Sequence, residues 1–197
     1  VTLSRASPNA CASAYRAFLL FSAARRFARD DYARAAQRNL NYVLRAQQPD
    51  GSWRYATDGV RDFVDHFHTC FVLKALAKIE ALTHDAGVGR AIESGVAYYV
   101  KHLFGEDGLP RPFAVAPRLT IYRHELYDYA ECINLATLLR GRFPLLDQRL
   151  QAALTDLFER WQKQYDWGKA DGATLLYGKG RITPDSKPSG FVGDPNT

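Results

Sequence analysis

The 197-residue chain contains no methionine and only three cysteines. It begins at Val1, and with no Met anywhere it reads as a fragment or a processed piece of a longer protein. Cys11, Cys70 and Cys132 are odd in number, far apart, and each inside an apolar helical run. That pattern excludes a disulfide framework; it fits reduced core thiols and a cytoplasmic setting. No apolar run is long enough for a membrane span. Ala10–Ala24 is interrupted by Arg16 and Ser22, and its flanks do not make a signal peptide. Basic residues never gather into a block. Net charge is +5, yet the pair Arg25-Arg26 is no nucleic-acid arm and no helix-turn-helix or RNA-binding signature is present, so no nucleic-acid partner is expected. So small a surplus is the ordinary state of a solvated surface, with attraction to an acidic polymer as the sharper alternative. CxxC and HExxH are also missing, so neither a metal nor another cofactor is expected.

What the chain has is helical period. Ser7 and Pro8 supply a cap and a first helical residue, and the helix that follows to about Arg29 is apolar on most of its circumference, which predicts burial. From Asp30 the apolar positions Tyr32, Ala36, Leu40, Val43 and Leu44 recur at steps of three and four, as in an amphipathic surface helix. The pair then repeats. Val64–Leu82 is of the buried kind and Ala86–Leu103 amphipathic; Glu125–Leu139 is buried and Leu145–Tyr165 amphipathic. Asn134 falls within the third buried-type helix and is expected as a core amide. Asp-Gly dipeptides follow each amphipathic helix, at Asp50, Asp107 and Asp171, giving an internal period of about 60 residues. No strand is expected beyond short extended pieces near Val60 and Tyr122. The unit is buried helix, tight turn, amphipathic helix, long loop. Stacked units give an inner and an outer layer, and closure into a ring gives an α/α toroid whose inner helices start at one mouth.

The stretch QQPDGSWRYATDGVRDFVDHFHTCFVL, Gln47–Leu73, joins a polar, Gly-punctuated loop to an apolar helix. YVLRAQQPDGSW resembles the Gln-x3-Gly-x-Trp element of the α/α-toroid superfamily, which includes terpenoid cyclases, prenyltransferase β subunits and six-hairpin glycosidases. The longer run through KALAKI is similar to toroid proteins of bacterial polysaccharide-biosynthesis clusters. The resemblance implies an all-α fold, a partial α/α toroid or incomplete (α/α)6 barrel. Its hairpins would span about 8–47, 64–103 and 125–165, followed by a loop over 166–197. A whole toroid of this type has about six hairpins, so the single domain here would be part of a larger ring. The resemblance further implies that Gln47 and Trp53 tie an outer helix to its loop. Its reaction is left open, because toroids host hydrolases, lyases, epimerases and lipid-processing enzymes.

Two clusters carry candidate chemistry. Asp62, Asp65, His66 and His68 stand where the loop becomes the second inner helix, with Asp62 as the expected N-cap and Asp65 in the first turn. Asp65 and His68 share a helix face, so the carboxylate can orient the imidazole for acid–base work. His66 and His68 are two steps apart and point to opposite sides, which argues against a shared metal. The second cluster, Tyr122, Arg123, His124, Glu125, Tyr127, Asp128 and Glu131, occupies the same place in the third unit. A hydrolase needs paired carboxylates, one kept protonated. A lyase or epimerase needs Tyr or His to move a carbon-bound proton, with Arg61, Arg118 or Arg123 neutralising a uronate. Trp53, Tyr55 and Phe63 are candidates for stacking on sugar rings, with a purely structural Trp53 as the favoured alternative. In the bland reading of both clusters, the acids only cap helices and the histidines satisfy loop carbonyls.

The expected function is therefore a carbohydrate-active enzyme of bacterial polysaccharide metabolism, acting on a poly- or oligosaccharide that is neutral or acidic. A non-catalytic glycan-binding or scaffold protein is the alternative. A terpenoid cyclase or prenyltransferase ranks third, since DxDD and DDxxD are missing and Asp30-Asp31 lies on an outer helix.

Overall fold

The computed structural model describes residues 9–118, 125–167 and 170–175. Six α-helices form three hairpins: α1 (Ala10–Phe27) with α2 (Asp30–Ala46), α3 (His66–Thr83) with α4 (Ala86–His102), and α5 (Leu126–Leu138) with α6 (Pro144–Asp156). Helix α3 packs between α1 and α5, while α2, α4 and α6 back the inner row. The inner helices run parallel, as matching contacts show. On the α1–α3 seam, Tyr15 meets Phe71 edge-on at 5.3 Å, and Lys78 lies over the Phe18 ring further along. On the α3–α5 seam, Phe67 meets Tyr127 at 4.8 Å, and Lys74 pairs with Glu131 one turn on. The buried residues of α3 cover nearly its whole circumference, whereas α2 buries only Ala36, Leu40, Val43 and Ala46. The buried kind expected from hydrophobic period is present in α3 and the amphipathic kind in α2. Helix α1, expected to be buried, buries only Ala10, Ser13, Ala14 and Ala17 and leaves Leu19 and Phe27 exposed, because α2 and α3 cover it on one side alone.

Several boundaries differ from the sequence expectation, each for a local reason. Ser7 and Pro8 lie outside the described residues; the N-cap of α1 is Asn9, whose side chain accepts from the Ala12 N–H. Asp65, not Asp62, caps α3: it is extended (φ −110, ψ 165) and accepts from the His68 N–H at 2.7 Å. Val64 therefore falls outside the helix. With Asp65 it forms β1, which pairs antiparallel with β2 (Phe113–Val115). The third outer helix is shorter than its apolar period indicates. It ends at Asp156, widens into a π-helical turn over Leu157–Trp161, and continues as β3 (Gln162–Trp167), antiparallel to β4 (Ala170–Leu175). The run QKQYDW alternates with period two at Tyr165 and Trp167, a strand signal overlooked beside the longer helical one. Asp171-Gly172 consequently sits inside β4, not in a turn that repeats the first two. Asn134 is exposed on α5, so it is no core amide.

The first two Asp-Gly turns are true equivalents. After α2, Gln48 and Ser52 are joined by a backbone bond, the Gly51 N–H donates to the Gln48 carbonyl, and Asp50 accepts from the Ser52 N–H. After α4 the same three bonds recur at Gly105, Leu109, Gly108 and Asp107. Each loop is closed by an isolated bridge, Gln47 to Trp53 and Phe104 to Pro110. Gln47 donates to the Gly51 and Ala91 carbonyls, and the Trp53 indole donates to the Val43 carbonyl at 2.9 Å. Trp53 is thus a buried fastener between α2, its loop and α4, in a seat that a side chain at Gly95 would fill. Gly51 is doubly required: its φ is +93, and a Cβ there would lie 2.3 Å from the Ser94 carbonyl oxygen. Gly51→Ala should cost at least about 2 kcal/mol of unfolding free energy in urea titration, beyond the left-handed penalty alone.

Candidate functional site

Parallel inner helices bring their N-terminal ends to one side, and the loop carrying β2 arches over them. A cavity of about 290 Å³ opens there, lined by Asp65 and Phe67 of the α3 start, Pro112 and Phe113 of the arch, and Glu125, Tyr127 and Asp128 of the α5 start. Of the two clusters singled out in the sequence, Asp65 of the first and Glu125, Tyr127 and Asp128 of the second line this cavity. A larger cavity of about 600 Å³ lies at the opposite end, near the α3 and α5 C-termini, but its Arg142 is locked in a two-toothed pair with Glu80.

On the α3 side, Asp65 accepts from the His68 backbone N–H and faces His68 Nδ1 at 2.7 Å. Both Asp65 oxygens are engaged this way. In the neutral tautomer with its proton on Nδ1, facing the carboxylate, the lone pair is at Nε2. The imidazole is held edge-on against Tyr55 and Phe67, and Tyr55 itself stacks on Phe63 at 4.5 Å. On the α5 side, Glu125 occupies the N-cap position but makes no side-chain cap bond, so its carboxylate is not spent on the helix end. Asp128 is buried in the first turn. Its desolvation, together with the charges of Glu125, Asp65 and Glu131, pushes its carboxyl up to about 7. The cavity thus has a lining carboxyl raised by burial to about 7, and a second lining carboxylate, Asp65, that holds the His68 imidazole.

Other candidates fall elsewhere. His66 is fully buried; its Nδ1 faces the Arg111 carbonyl at 3.2 Å, and the Tyr99 hydroxyl donates to its Nε2 at 2.7 Å. Burial pulls its imidazole down to about 4. His66 therefore fastens the arch to the core, a role suited to a neutral ring and not to proton transfer at the cavity. Asp62 is exposed beside Arg54, away from the cavity lining. Trp53 is buried in its fastening role and does not face a ligand. Arg61 is tied to Asp58, whose carboxyl it helps to hold well below the usual range, and Arg118 is exposed in the loop beyond β2. Tyr122, Arg123 and His124 lie outside the described residues. The buried ion pair of Lys74 and Glu131, beneath the cavity, was not anticipated as a pair. Its sequence signal was a Lys in the middle of an otherwise apolar helix face.

Cys11, Cys70 and Cys132 are free thiols, and burial raises all three, Cys11 and Cys132 to about 12. They are not nucleophiles at neutral pH. Among the described residues, no three His, Cys, Asp or Glu side chains converge as a metal site, and no helix is long and apolar enough to cross a membrane.

Two stability tests follow from these shifts. His66 has a folded value near 4 against 6.5 in the unfolded chain, so the unfolded state takes up its proton first on acidification. Its contribution is present above pH 6.5 and is lost as pH falls toward 4, by about 3 kcal/mol. His66→Gln should flatten that acid limb in denaturant titrations between pH 7 and 4. Asp128 behaves oppositely, since its folded value near 7 exceeds 3.8. Stability is lost as pH rises from about 4 to 7, so Asp128→Asn should stabilise the protein at pH 8 by about 2–4 kcal/mol and change little at pH 4.

No family model matches the sequence, and neither does any curated protein. Among solved structures, the chain is similar to one titled "Crystal structure of D-mannose isomerase", with a TM-score of 0.56 and 15% identity. The similarity covers 79% of this chain and 44% of that one, so the chain spans less than half of its neighbour's length. At that identity the likeness is one of fold: the three hairpins form part of a helical toroid.

Proposed function

We propose that the chain carries the acid–base centre of a sugar-transforming enzyme of the isomerase or epimerase class, acting on a small neutral sugar. The observation that carries this reading is that Asp128, whose carboxyl is pushed up to about 7, lines one cavity with Asp65, the carboxylate that holds the His68 ring. His68 Nε2 takes the proton from the carbon next to the sugar carbonyl. Asp128 gives its proton to the carbonyl oxygen, leaving a neutral enediol. Return of the proton to the neighbouring carbon, with Asp128 recovering its own from a hydroxyl, yields the isomer; return to the opposite face yields the epimer. Protons are conserved and no co-reactant is needed.

Asp65 has both oxygens committed to His68, which argues against its acting as a glycosidase nucleophile. Among the described residues the cavity lining carries three acids and no Arg or Lys, which favours a neutral sugar over a uronate. A volume near the lower end of ligand pockets, about 300 Å³, favours a monosaccharide over a polymer chain. The likeness to a D-mannose isomerase fold fits the same class.

The test is incubation of the protein in D₂O with neutral aldoses and ketoses, uronates and glycosides, followed by NMR and mass spectrometry. The expected result is deuterium at the carbon next to the carbonyl of a neutral sugar, with a new isomer, and a loss of about 10²–10⁴-fold in Asp128→Asn and in His68→Asn. Binding without exchange would make this a glycan-binding module. Release of reducing ends from glycosides would make it a hydrolase.

A further inference from the structure

The loop between Trp53 and Val64 carries more internal bonding than a simple connection needs. The Tyr55 N–H donates to the Phe63 carbonyl and the Ala56 N–H to the Arg61 carbonyl, which draws the two arms of the loop together. Arg54 adds a bond to the Asp62 carbonyl at 2.7 Å. At the tip, Asp58 accepts from the N–H groups of Val60 and Arg61 and from the Arg61 guanidinium. An exposed ion pair of this kind adds little to stability. Its effect is on aim, because it holds the guanidinium 5.6 Å from the centre of the Tyr55 ring. Tyr55 also stacks on Phe63 at 4.5 Å and stands nearly perpendicular to the His68 ring at 4.6 Å. Phe63 in turn meets Phe113 of the arch at 6.0 Å, so the stack is anchored in both mouth loops.

We propose that Tyr55 is a positioning residue: set by its loop, its ring fixes the His68 imidazole in the orientation that keeps Nδ1 on Asp65. The inference rests on the reading of His68 as the base of the site. Asp65 alone does not fix the imidazole, because a ring bonded at one nitrogen can still swing about that bond. Contacts from Tyr55 and, at 4.7 Å, from Phe67 on the next position of α3 remove the swing. The Tyr55 hydroxyl takes part in no hydrogen bond among the described residues, and Tyr55 is not part of the cavity lining. The ring is therefore the working part, and it works through His68 rather than on a ligand.

The test reads the His68 tautomer by ¹⁵N NMR of the full chain at about pH 9, where an ordinary imidazole is neutral. The signals are assigned by their loss in His68→Asn. Wild type should show mainly the Nδ1–H form that Asp65 selects. Tyr55→Ala frees the ring, and the share of the Nε2–H form should rise about 3- to 10-fold. Tyr55→Phe keeps the ring contacts and should restore the wild-type ratio. Where Tyr55→Ala does not fold, Tyr55→Leu, which fills the space without a flat ring, is read in its place. This readout needs no substrate, so its failure is distinct from a failure of the sugar reading. Where turnover is found, Tyr55→Ala should lower kcat by about 10- to 100-fold with KM changed less than about threefold. An unchanged tautomer ratio in a folded variant would overturn the proposal. So would a loss confined to KM, which would make Tyr55 a surface for the sugar itself.

Discussion

Helix α3 is wedged between two helices that run in its own direction, and that constraint generates the rest of the site. Parallel neighbours must gather their N-termini, with their unpaired N–H groups and the positive ends of their dipoles, at one end of the molecule. Acidic residues are favoured at each helix start taken singly. Brought together under an apolar arch, they can no longer all be ionised. Asp65 is bonded to His68, and the carboxyl of Asp128 is pushed up to about 7 by burial and by the neighbouring acids. The raised carboxyl of Asp128 is thus a consequence of topology as much as of its own residue.

Such an arrangement is held against its own interests. A buried carboxylic acid loses stability as the solution becomes neutral, and a buried neutral imidazole loses it as the solution becomes acidic. The surrounding fasteners offset this. Gln47 and Trp53 bind the outer helix to its loop, His66 pins the arch to Tyr99, and Lys74 with Glu131 spans the inner seam. All are polar groups, buried or partly buried, that have partners; among the described residues no buried side-chain nitrogen or oxygen lacks one.

Much of this was legible in the sequence because two independent periods agreed. The step of three and four residues separated α2 from α3, and the first two Asp-Gly turns, at Asp50 and Asp107, marked the repeat, whereas Asp171 falls inside β4. The element around Gln47 and Trp53 carried the toroid resemblance, and its bonds are the ones that resemblance implied. Where reading failed, a short-range signal was hidden by a longer one. Asp62 and Asp65 are both plausible caps, and only the pairing of Val64 with Val115, far along the chain, decides that the helix starts after Asp65. His66 and His68 look alike in sequence. Their rotation about the helix sends one into the core and leaves the other beside the cavity, and nothing local says which. The strand in QKQYDW lost to six apolar positions at helical spacing before it.

The account stands on the starts of α3 and α5 being neighbours, and a double-mutant cycle on Phe67 and Tyr127 probes that contact directly. The two rings lie 4.8 Å apart at the cavity wall. Unfolding free energies of Phe67→Ala, Tyr127→Ala and the double variant should show a coupling of about 0.5–1.5 kcal/mol. Strict additivity would contradict it, because helix starts that do not meet cannot share a site.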